Sequence, residues 1–344
     1  MTDTYSVVVG EWDLAKSQDQ IMEDNIKQAM VLWYDLKRQG ATNESMAENP
    51  VLRDLSGNGH DATCYNFAWS GMSGVGGYSQ NYKKWYIYDT RVSATVTNIQ
   101  INVTSVLRTL IGVYYQSKSD EVAFTVPSYK VRVSGLTDGQ AITYRDGTST
   151  VSYTIDRDGE YTLPQIDFSA QGGYYGFILN KVQESCNITI EQLPIYPHAI
   201  VSDGVDDYCL VEGLPLLNKE DGYTVIAKRK ILSDTGCIAS KRNSVEQNGA
   251  FVFEIKTDAS SKGRCDSFGS QNSNTPLISE DVSWQKKDYY NGTSILFGGK
   301  EDTDELRLLC LFNSYYCSAA LYSFLLFNRD LAPEEIEWVK TNYL

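Results

Sequence analysis

Short runs of alternating hydrophobic and polar residues dominate the middle of the chain. Val92, Ala94 and Val96 alternate with polar residues, and after a one-residue slip the alternation continues at Ile99 and Ile101. Alternation with a period of two is typical of a strand with one buried face. Similar runs, separated by turn clusters, recur at 129–133, 142–144, 151–155, 174–179 and 186–190. The pattern predicts an antiparallel sandwich of immunoglobulin-like or jelly-roll type over residues 84–193.

Two segments near the ends of the sequence have helical periodicity instead. Hydrophobic residues spaced by four, three and four positions mark one helical face at Met22, Ile26, Ala29 and Trp33. A second helix is predicted over 333–342, because its proline suits the first helical position. The N-terminal helix is too short to be stable alone in water. It must therefore pack on its own domain, on sister chains or on a larger assembly.

Strand patterns also flank the central block. They occur at 31–36 and 62–69, and they resume after residue 198 as a series of short runs up to residue 327. The chain is longer than one hydrophobic core usually spans. We predict an N-terminal arm and helix (1–30), one β-sandwich built from 31–83 and 194–344, and a second β-sandwich (84–193) inserted into it.

Composition supports an all-β protein and excludes several partners. The chain has 24 Tyr, 26 Gly and only 8 Pro, which fits short strands joined by turns. Its net charge of −14 would repel a phosphate backbone, so we predict no nucleic-acid and no membrane partner. The first 15 residues do not have the pattern of a secretory signal, which predicts a chain made in the cytoplasm.

The cysteines do not form a recognisable framework. Seven are present without any pair spaced as Cys-x-x-Cys, and only His60 and His198 are available as histidine ligands. An odd number without a secretory signal argues against structural disulfides, and two histidines argue against a zinc site. We interpret the cysteines as reduced, buried thiols on strands.

Three ordered motifs resemble those of concanavalin A-like lectin/glucanase domains of the laminin-G type. They are an Asp-x-Ser-Gly-Asn-Gly turn at 54–59, an Asp-Gly-Val-Asp-Asp-Tyr segment at 203–208, and Leu-Leu-Phe-Asn-Arg at 325–329 followed by Glu-Glu-Ile at 334–336. The resemblance implies a concanavalin A-like jelly roll with a short N-terminal and a C-terminal helix. The block at 84–193 separates the first two motifs, so we predict that it is an insertion hinged at 71–77 and 193–197.

The arrangement is also similar to that of proteins of gut bacteria of the Bacteroides group and of their tailed phages. This resemblance implies a non-enzymatic phage virion protein, a head or tail fibre or decoration. It would be a homotrimer that attaches to capsid or tail proteins through its N-terminal region and displays the lectin-like domain to host glycans. A bacterial surface glycan-binding protein and a degenerate glycoside hydrolase are the alternatives.

Candidate binding residues follow from the chemistry of sugars and cations. Exposed aromatic rings can lie against the apolar face of a pyranose, and a cluster near the glycine-rich segment has this composition: Trp69, Tyr78, Tyr82, Trp85 and Tyr86. Core or inter-domain packing is the competing interpretation for these rings. Laminin-G-like domains sometimes hold a structural calcium ion, for which Asp54, Asn58, Asp203, Asp206 and Asp207 supply oxygen ligands. The same residues can instead stabilise turns. No other cofactor is predicted.

Catalytic motifs are not evident. Glycoside hydrolysis needs two carboxylates that face each other across a cleft. The acidic stretch 301–305 has the composition but not the alternation that would place its carboxylates on one face of a strand. We therefore predict a non-enzymatic protein.

Overall fold

A computed structural model describes most of the chain. The described residues are 16–104, 110–116, 124–147, 150–168, 173–179, 185–217, 223–233, 235–242, 249–257, 263–267, 271–273, 281–286, 303–311 and 315–344; between 249 and 286 only the backbone is described. The fold is all-β, with several antiparallel sheets and few helices. No helix within these residues is long and apolar enough to cross a membrane.

Two large sheets are built from residues on both sides of the central block. The six-stranded sheet contains β1 (Met30–Asp35), β4 (Gly74–Val75), β17 (Ile200–Asp203), β19 (Tyr223–Ile231), β24 (Asp281–Lys286) and β26 (Ser318–Phe327). Its order is β24-β19-β26-β17-β4. Strand β1 also pairs with β26, along a different segment of that strand from the one that pairs with β17. The longest strand, β26, is therefore central.

The second sheet has eight strands. They are β2 (Val51–Leu52), β3 (Ala62–Tyr65), β18 (Tyr208–Val211), β20 (Thr235–Arg242), β21 (Gly249–Thr257), β22 (Gly263–Ser267), β23 (Gln271–Ser273) and β25 (Leu306–Leu308), in the order β2-β3-β18-β25-β20-β21-β22-β23. One hydrophobic core joins this sheet to the six-stranded sheet. We call the two sheets together the outer sandwich.

In the part of the chain that the structure describes, four α-helices accompany the outer sandwich: α1 (Gln18–Ala29), α2 (Leu36–Gln39), α3 (Asn43–Glu48) and α4 (Pro333–Tyr343). Ser17 caps α1 in a capping box with Gln20. The N-cap of α4 is Ala332, which has no side-chain acceptor; Glu335 instead accepts a hydrogen bond from the Ala332 N–H at 2.8 Å. Ile26 of α1 and Val339 of α4 share a core with β1 and β26, so both helices pack on their own chain.

The central block forms a sandwich of its own, the inner sandwich. One five-stranded sheet contains β6 (Val92–Ala94), β7 (Asn98–Val103), β10 (Tyr129–Ser134), β13 (Gly159–Leu163) and β16 (Cys186–Gln192); the other contains β5 (Tyr86–Ile87), β8 (Ile111–Gln116), β11 (Ile142–Asp146), β12 (Ser152–Ile155) and β15 (Tyr174–Leu179). A small sheet adds β9 (Phe124–Val126) and β14 (Ile166–Phe168). The core between the two five-stranded sheets contains only residues from 82–190.

The two chain segments that lead into and out of the inner sandwich pair with each other. Ile195 N–H donates to the Gly77 carbonyl at 2.9 Å, and Tyr196 N–H donates to the Gly76 carbonyl at 2.8 Å. Gly76 has φ +86°, and a Cβ there would lie 2.7 Å from the Cβ of Pro194. The glycine-rich segment therefore allows a close approach of two backbones that a side chain would prevent.

The predicted all-β class, with helices at both ends, is confirmed. Trp33 belongs both to the predicted helical face and to the strand predicted at 31–36; α1 ends at Ala29, and Trp33 lies on strand β1, although it joins the same core as the helix. The helices α2 and α3 were not predicted. The six cysteines with described side chains are buried, as predicted. The domain division and the concanavalin A-like assignment stay predictions.

Candidate functional site

Four tyrosine rings lie side by side on the outer face of the inner sandwich. They belong to Tyr86, Tyr88, Tyr114 and Tyr174, and we call this group the tyrosine face. Ring centroids lie 6.1 Å apart for Tyr86 and Tyr88, 5.8 Å for Tyr88 and Tyr114, and 5.5 Å for Tyr114 and Tyr174. Tyr88 is 71% exposed, Tyr86 48% and Tyr174 38%. A contiguous aromatic surface of this kind is uncommon without a binding role.

Strand pairing places these rings together. Tyr86 on β5 is directly opposite Tyr114 on β8, and Tyr174 on β15 is opposite Gln116, which makes it a diagonal neighbour of Tyr114. Tyr88 follows β5 two residues after Tyr86, close enough for the two rings to stack. At three of these four tyrosines, the side chain of the preceding residue points to the opposite face of the sheet, because successive side chains in a strand alternate between faces.

Glycines keep this face of the sheet flat. Gly176 is opposite Tyr114, and a Cβ at this position would lie 2.1 Å from the Val113 carbonyl oxygen and 2.6 Å from the Tyr114 Cα. No larger residue fits between β15 and β8 without moving the backbone. On its other edge β15 pairs with β11, where Arg145 is opposite Gly176. The Nε of Arg145 is buried and has no hydrogen-bond partner among the described residues.

The hydroxyl groups of the tyrosine face interact with one another at Tyr114. Burial raises the pKa of Tyr114, and a hydrogen bond with Tyr88 and the nearby Tyr174 hydroxyl raise it further. A neutral phenol offers one donor and acceptor lone pairs. The face therefore combines apolar ring surfaces with polar groups at their rims.

A cleft of about 280 Å³ lies at the edge of the same sandwich. Its aromatic lining is Trp85, Tyr115, Phe124 and Tyr175, and its polar lining includes Gln80 and Lys84. Phe124 brings the small β9–β14 sheet over the cleft, and its ring stacks on Phe168 at 4.5 Å. The cleft is closer to core than to surface, because Trp85 is 5% and Tyr175 3% exposed.

Hydrogen bonds fix the polar end of this cleft. Tyr175 donates to Gln80 Oε1 at 2.6 Å, Gln192 Nε2 donates to the Gln80 carbonyl at 3.0 Å, and Gln80 N–H donates to Gln192 Oε1 at 2.9 Å. Gln80 is thereby attached both to the sheet and to the segment that leaves the sandwich. These bonds give Gln80 a structural role.

The five predicted sugar-binding aromatics do not form one groove. Tyr82 is fully buried and Trp85 nearly so, which corrects their assignment as exposed rings: both belong to the inner core. Trp69 is half-buried and stacks on Phe67 against the core of the outer sandwich. Tyr78 is half-buried and lies in the chain segment that leads into the inner sandwich. Only Tyr86 lies on the tyrosine face.

Three of the predicted calcium ligands converge. Carboxylate oxygens of Asp203, Asp206 and Asp207 all lie within 4.8 Å of one another. Asp207 is buried and accepts hydrogen bonds from Ser73 Oγ and from the Asp203 N–H, each at 3.0 Å. Burial, with a smaller contribution from the charges of Asp203 and Asp206, raises the pKa of Asp207 to about 6. Such a set of oxygens fits a hard cation, and calcium here stays a prediction.

The other two predicted ligands serve a turn. Asp54 accepts hydrogen bonds from the Trp33 N–H at 3.0 Å, the Ser56 N–H at 2.9 Å and the His60 N–H at 3.0 Å. Asn58 Nδ2 donates to the carbonyl of Met30 at 2.9 Å. Both side chains bind the turn to strand β1. They are not part of the acidic cluster, which corrects the five-residue site predicted from sequence.

The acidic stretch considered for catalysis is only partly described. Glu305 forms an ion pair with Arg307, with 3.2 Å between its Oε2 and the arginine nitrogen. Glu301 lies outside the described residues. The ion pair gives Glu305 a structural role that is common for a carboxylate near a sheet.

Sequence reasoning missed Tyr88, Tyr114 and Tyr174. A signal was present, since 114–115 and 174–175 are Tyr-Tyr pairs on predicted or observed strands. An aromatic pair on a strand places one ring in the core and the other outside. The pairs did not reveal that their outer rings are neighbours, because that depends on the register between β8 and β15.

Comparison with known proteins gives little further information. No protein-family model matches the chain, and no curated protein is similar to it in sequence. Among solved structures, it is similar to the N-terminal CBM22-1–CBM22-2 tandem domain from Paenibacillus barcinonensis Xyn10C, with 11% identity over 76% of this chain and 99% of that chain and a TM-score of 0.16. A TM-score this low does not carry a fold or a function to the chain.

Proposed function

We propose that the protein is a non-enzymatic glycan-binding protein and that the tyrosine face is its binding surface. The observation that carries this proposal is the contiguous row of four outward-facing rings with centroids 5.5 to 6.4 Å apart. A pyranose presents an apolar C–H face that packs on an aromatic ring, while its hydroxyls hydrogen-bond to polar groups at the rim. Tyrosine supplies both at a low entropic cost.

The ligand we favour is a neutral glycan. The chain carries a net charge of −14, which opposes the approach of an anionic polysaccharide. A phenol hydroxyl can donate and accept hydrogen bonds with sugar hydroxyls. An extended oligosaccharide can contact several rings at once, because neighbouring rings follow one another across β5, β8 and β15.

Binding to neutral polysaccharides by affinity electrophoresis and calorimetry tests the proposal. We expect Tyr88→Ala and Tyr174→Ala each to weaken binding about tenfold, which corresponds to roughly 1.4 kcal/mol. Tyr88→Phe keeps the ring and should retain most of the affinity. Circular dichroism checks that each variant folds, and the exposure of Tyr88 makes its replacement harmless to the core.

The matched control is Tyr315→Ala. Tyr315 is 64% exposed, but it belongs to the part of the sequence that forms the outer sandwich and is not one of the four rings of the tyrosine face. This variant should bind like the original protein. An equal loss in Tyr315→Ala and Tyr88→Ala would contradict the proposed location. A failure of the original protein to bind any neutral glycan on a broad array would contradict glycan binding itself.

The biological setting we propose is a phage virion, with attachment to host glycans as the role of the tyrosine face. Its support is the resemblance of the three sequence motifs to those of proteins of Bacteroides-group bacteria and their tailed phages. A bacterial surface glycan-binding protein is the alternative. Mass spectrometry of purified virions distinguishes them: the chain should be present in the particle, and its absence from virions would leave the bacterial surface.

An N-terminal attachment and a trimer belong to the same proposal. The apolar side of α1, including Ile26 and Ala29, packs on its own chain, so a trimer must use another surface. Light scattering at several concentrations measures the oligomer. The non-enzymatic assignment is tested by incubation with β-glucans; hydrolysis that is lost in Glu305→Gln would overturn it.

A further inference from the structure

Two buried cysteines face each other across a strand pair of the outer sandwich. Cys64 on β3 is directly opposite Cys209 on β18. Their Sγ atoms lie 2.9 Å apart, and the side chains are 5% and 0% exposed. The two residues are 145 positions apart in sequence. The proximity therefore depends entirely on the fold.

The backbone arrangement around the two cysteines suits a covalent bond. The Cys64 N–H donates to the Pro50 carbonyl at 2.7 Å, on the side of β2. In an antiparallel sheet the N–H and C=O of one residue point to the same neighbour, so Cys64 and Cys209 are a non-hydrogen-bonded pair. The Cα atoms of such pairs lie about 4.5 Å apart, within the range that disulfides span.

We propose that Cys64 and Cys209 are a modification site at which an oxidant closes a disulfide between strands β3 and β18. With oxidised glutathione, one cysteine thiolate attacks the glutathione S–S bond, forms a mixed disulfide and releases one glutathione thiol. The second cysteine then displaces the other glutathione. The two cysteine S–H bonds become one S–S bond, and the two protons and two electrons end on two glutathione thiols.

The bond would join the two parts of the outer sandwich covalently. Strand β3 precedes the inner sandwich in sequence and β18 follows it. A crosslink between them closes a long loop that contains the whole inner sandwich. Disulfides that close long loops restrict the unfolded chain most, so the stabilisation should be near the upper end of the usual range.

The environment determines when this reaction is fast. Burial and the adjacent Cys64 thiol raise the pKa of the Cys209 thiol well above its ordinary value, and thiolate is the reactive form. The folded, reduced protein should therefore oxidise slowly at neutral pH. Oxidation should be faster during refolding, when the thiols are accessible, and the bond should persist in an oxidising environment outside a cell.

Cys310 is the competing partner, because it lies near enough to contribute to the raised pKa of the Cys209 thiol. It is buried and follows strand β25, which pairs with β18 on the side opposite β3. The Cys310→Ala variant is therefore the matched control: it removes a buried thiol near Cys209 without removing the proposed pair. Alanine is preferred to serine, since a buried hydroxyl would need a hydrogen-bond partner.

The test is refolding of the full chain with oxidised glutathione, followed by digestion without reductant and mass spectrometry. We expect a crosslinked peptide that contains Cys64 and Cys209. We expect the melting temperature to be about 5 to 10 °C higher than that of the reduced protein, reversibly with dithiothreitol. Proteolytic cleavage between residues 64 and 209 should give fragments that separate on a gel only after reduction.

Cys310→Ala should show the same crosslink and the same reductant-dependent shift, whereas Cys64→Ala and Cys209→Ala should show neither. The proposal is overturned if complete oxidation yields a Cys209–Cys310 peptide, or if no crosslinked peptide forms. The mass-spectrometric result on the unmodified chain decides the matter even if an alanine variant fails to fold.

Discussion

The inner and outer sandwiches bury their strands in different ways. In the inner sandwich, β7 and β10 alternate between buried and exposed positions along their length. In the outer sandwich, all six residues of β1 are buried, and β26 is buried at eight of its ten positions. Alternation requires that one face of a sheet meets water. Strands β7 and β10 of the inner sandwich have one face in water, whereas β1 and β26 are covered on both faces.

The reason is what covers the second face of each sheet. One face of the six-stranded sheet packs on the eight-stranded sheet, and the other carries α1 and α4 through residues such as Ile26, Phe327 and Val339. The outer faces of the inner sheets carry no such helices in the described residues. Among the described residues, no helix of the chain covers the tyrosine face, which leaves its rings exposed.

The largest expected effects come from truncating one aromatic residue in each core. Phe177 is 1% exposed in the inner core, and Phe324 is 0% exposed in the outer core. Replacement of either by alanine should cost about 3 to 5 kcal/mol. Because the two cores share no residues, hydrogen exchange should increase in β8, β11 and β15 for Phe177→Ala and in β1, β19 and β26 for Phe324→Ala. Equal loss of protection throughout the chain in both variants would show that the sandwiches unfold as one unit.

A smaller effect is expected where the close approach of β8 and β15 leaves no room for a side chain. Gly176→Ala places a Cβ 2.1 Å from a backbone oxygen, so the strands β8 and β15 must separate. We expect a loss of about 3 kcal/mol in the free energy of unfolding and weaker glycan binding, because Tyr114 moves with β8. The matched control is Gly112→Ala, since a Cβ there meets nothing closer than 3.7 Å. Similar stability of both variants would contradict the packing argument.

The next effect is confined to the outer sandwich and depends on pH. The pKa of Asp207 is about 6, above its ordinary value of 3.8. The folded state therefore binds a proton more tightly than the unfolded state, so this group's stabilising contribution is present below pH 4 and is lost as the pH rises through 6. Asp207→Asn should remove this dependence, a change of about 2 kcal/mol between pH 4 and 7. Thermal melts of both proteins measure the difference.

Calcium provides a second measurement on the same carboxylates. If a cation binds Asp203, Asp206 and Asp207 as predicted, millimolar calcium should raise the melting temperature at pH 7, where Asp207 is charged, and much less at pH 4. Asp207→Asn should lose this response. An identical calcium response in both proteins would place any bound cation elsewhere.

The smallest expected effect is at the start of α4. Ala332→Ser adds a side-chain acceptor for the first turn, while the existing bond from the Ala332 N–H to Glu335 stays possible. We expect a gain of about 0.5 to 1 kcal/mol. Chemical denaturation of both proteins measures this difference in the free energy of unfolding. A loss of stability would mean that the hydroxyl displaces the Glu335 carboxylate or its ion pair with Arg329.

Local sequence patterns determined much of this fold. The alternation at Ile99 and Ile101 predicts the buried face of β7, and the hydrophobic spacing from Met22 to Ala29 predicts helix α1. The turn at 54–59 was recognised from Asn-Gly and Ser-Gly steps. These features depend on residues a few positions apart, so their physical causes are contained in short stretches of sequence. Trp33 fits two local patterns, the hydrophobic spacing of the helix and the strand predicted at 31–36, and in the structure it lies on β1.

The tertiary structure alone decided which distant residues meet. The sequence contains the rings of Tyr86, Tyr114 and Tyr174, but the register of β5, β8 and β15 makes them one surface. It contains Cys64 and Cys209, but their contact requires β3 and β18 to pair although the inner sandwich separates them in sequence. Side-chain alternation is a property of each strand, whereas register is fixed by packing between strands far apart in the chain. The candidate site depends on that packing, and the composition of each strand does not reveal it.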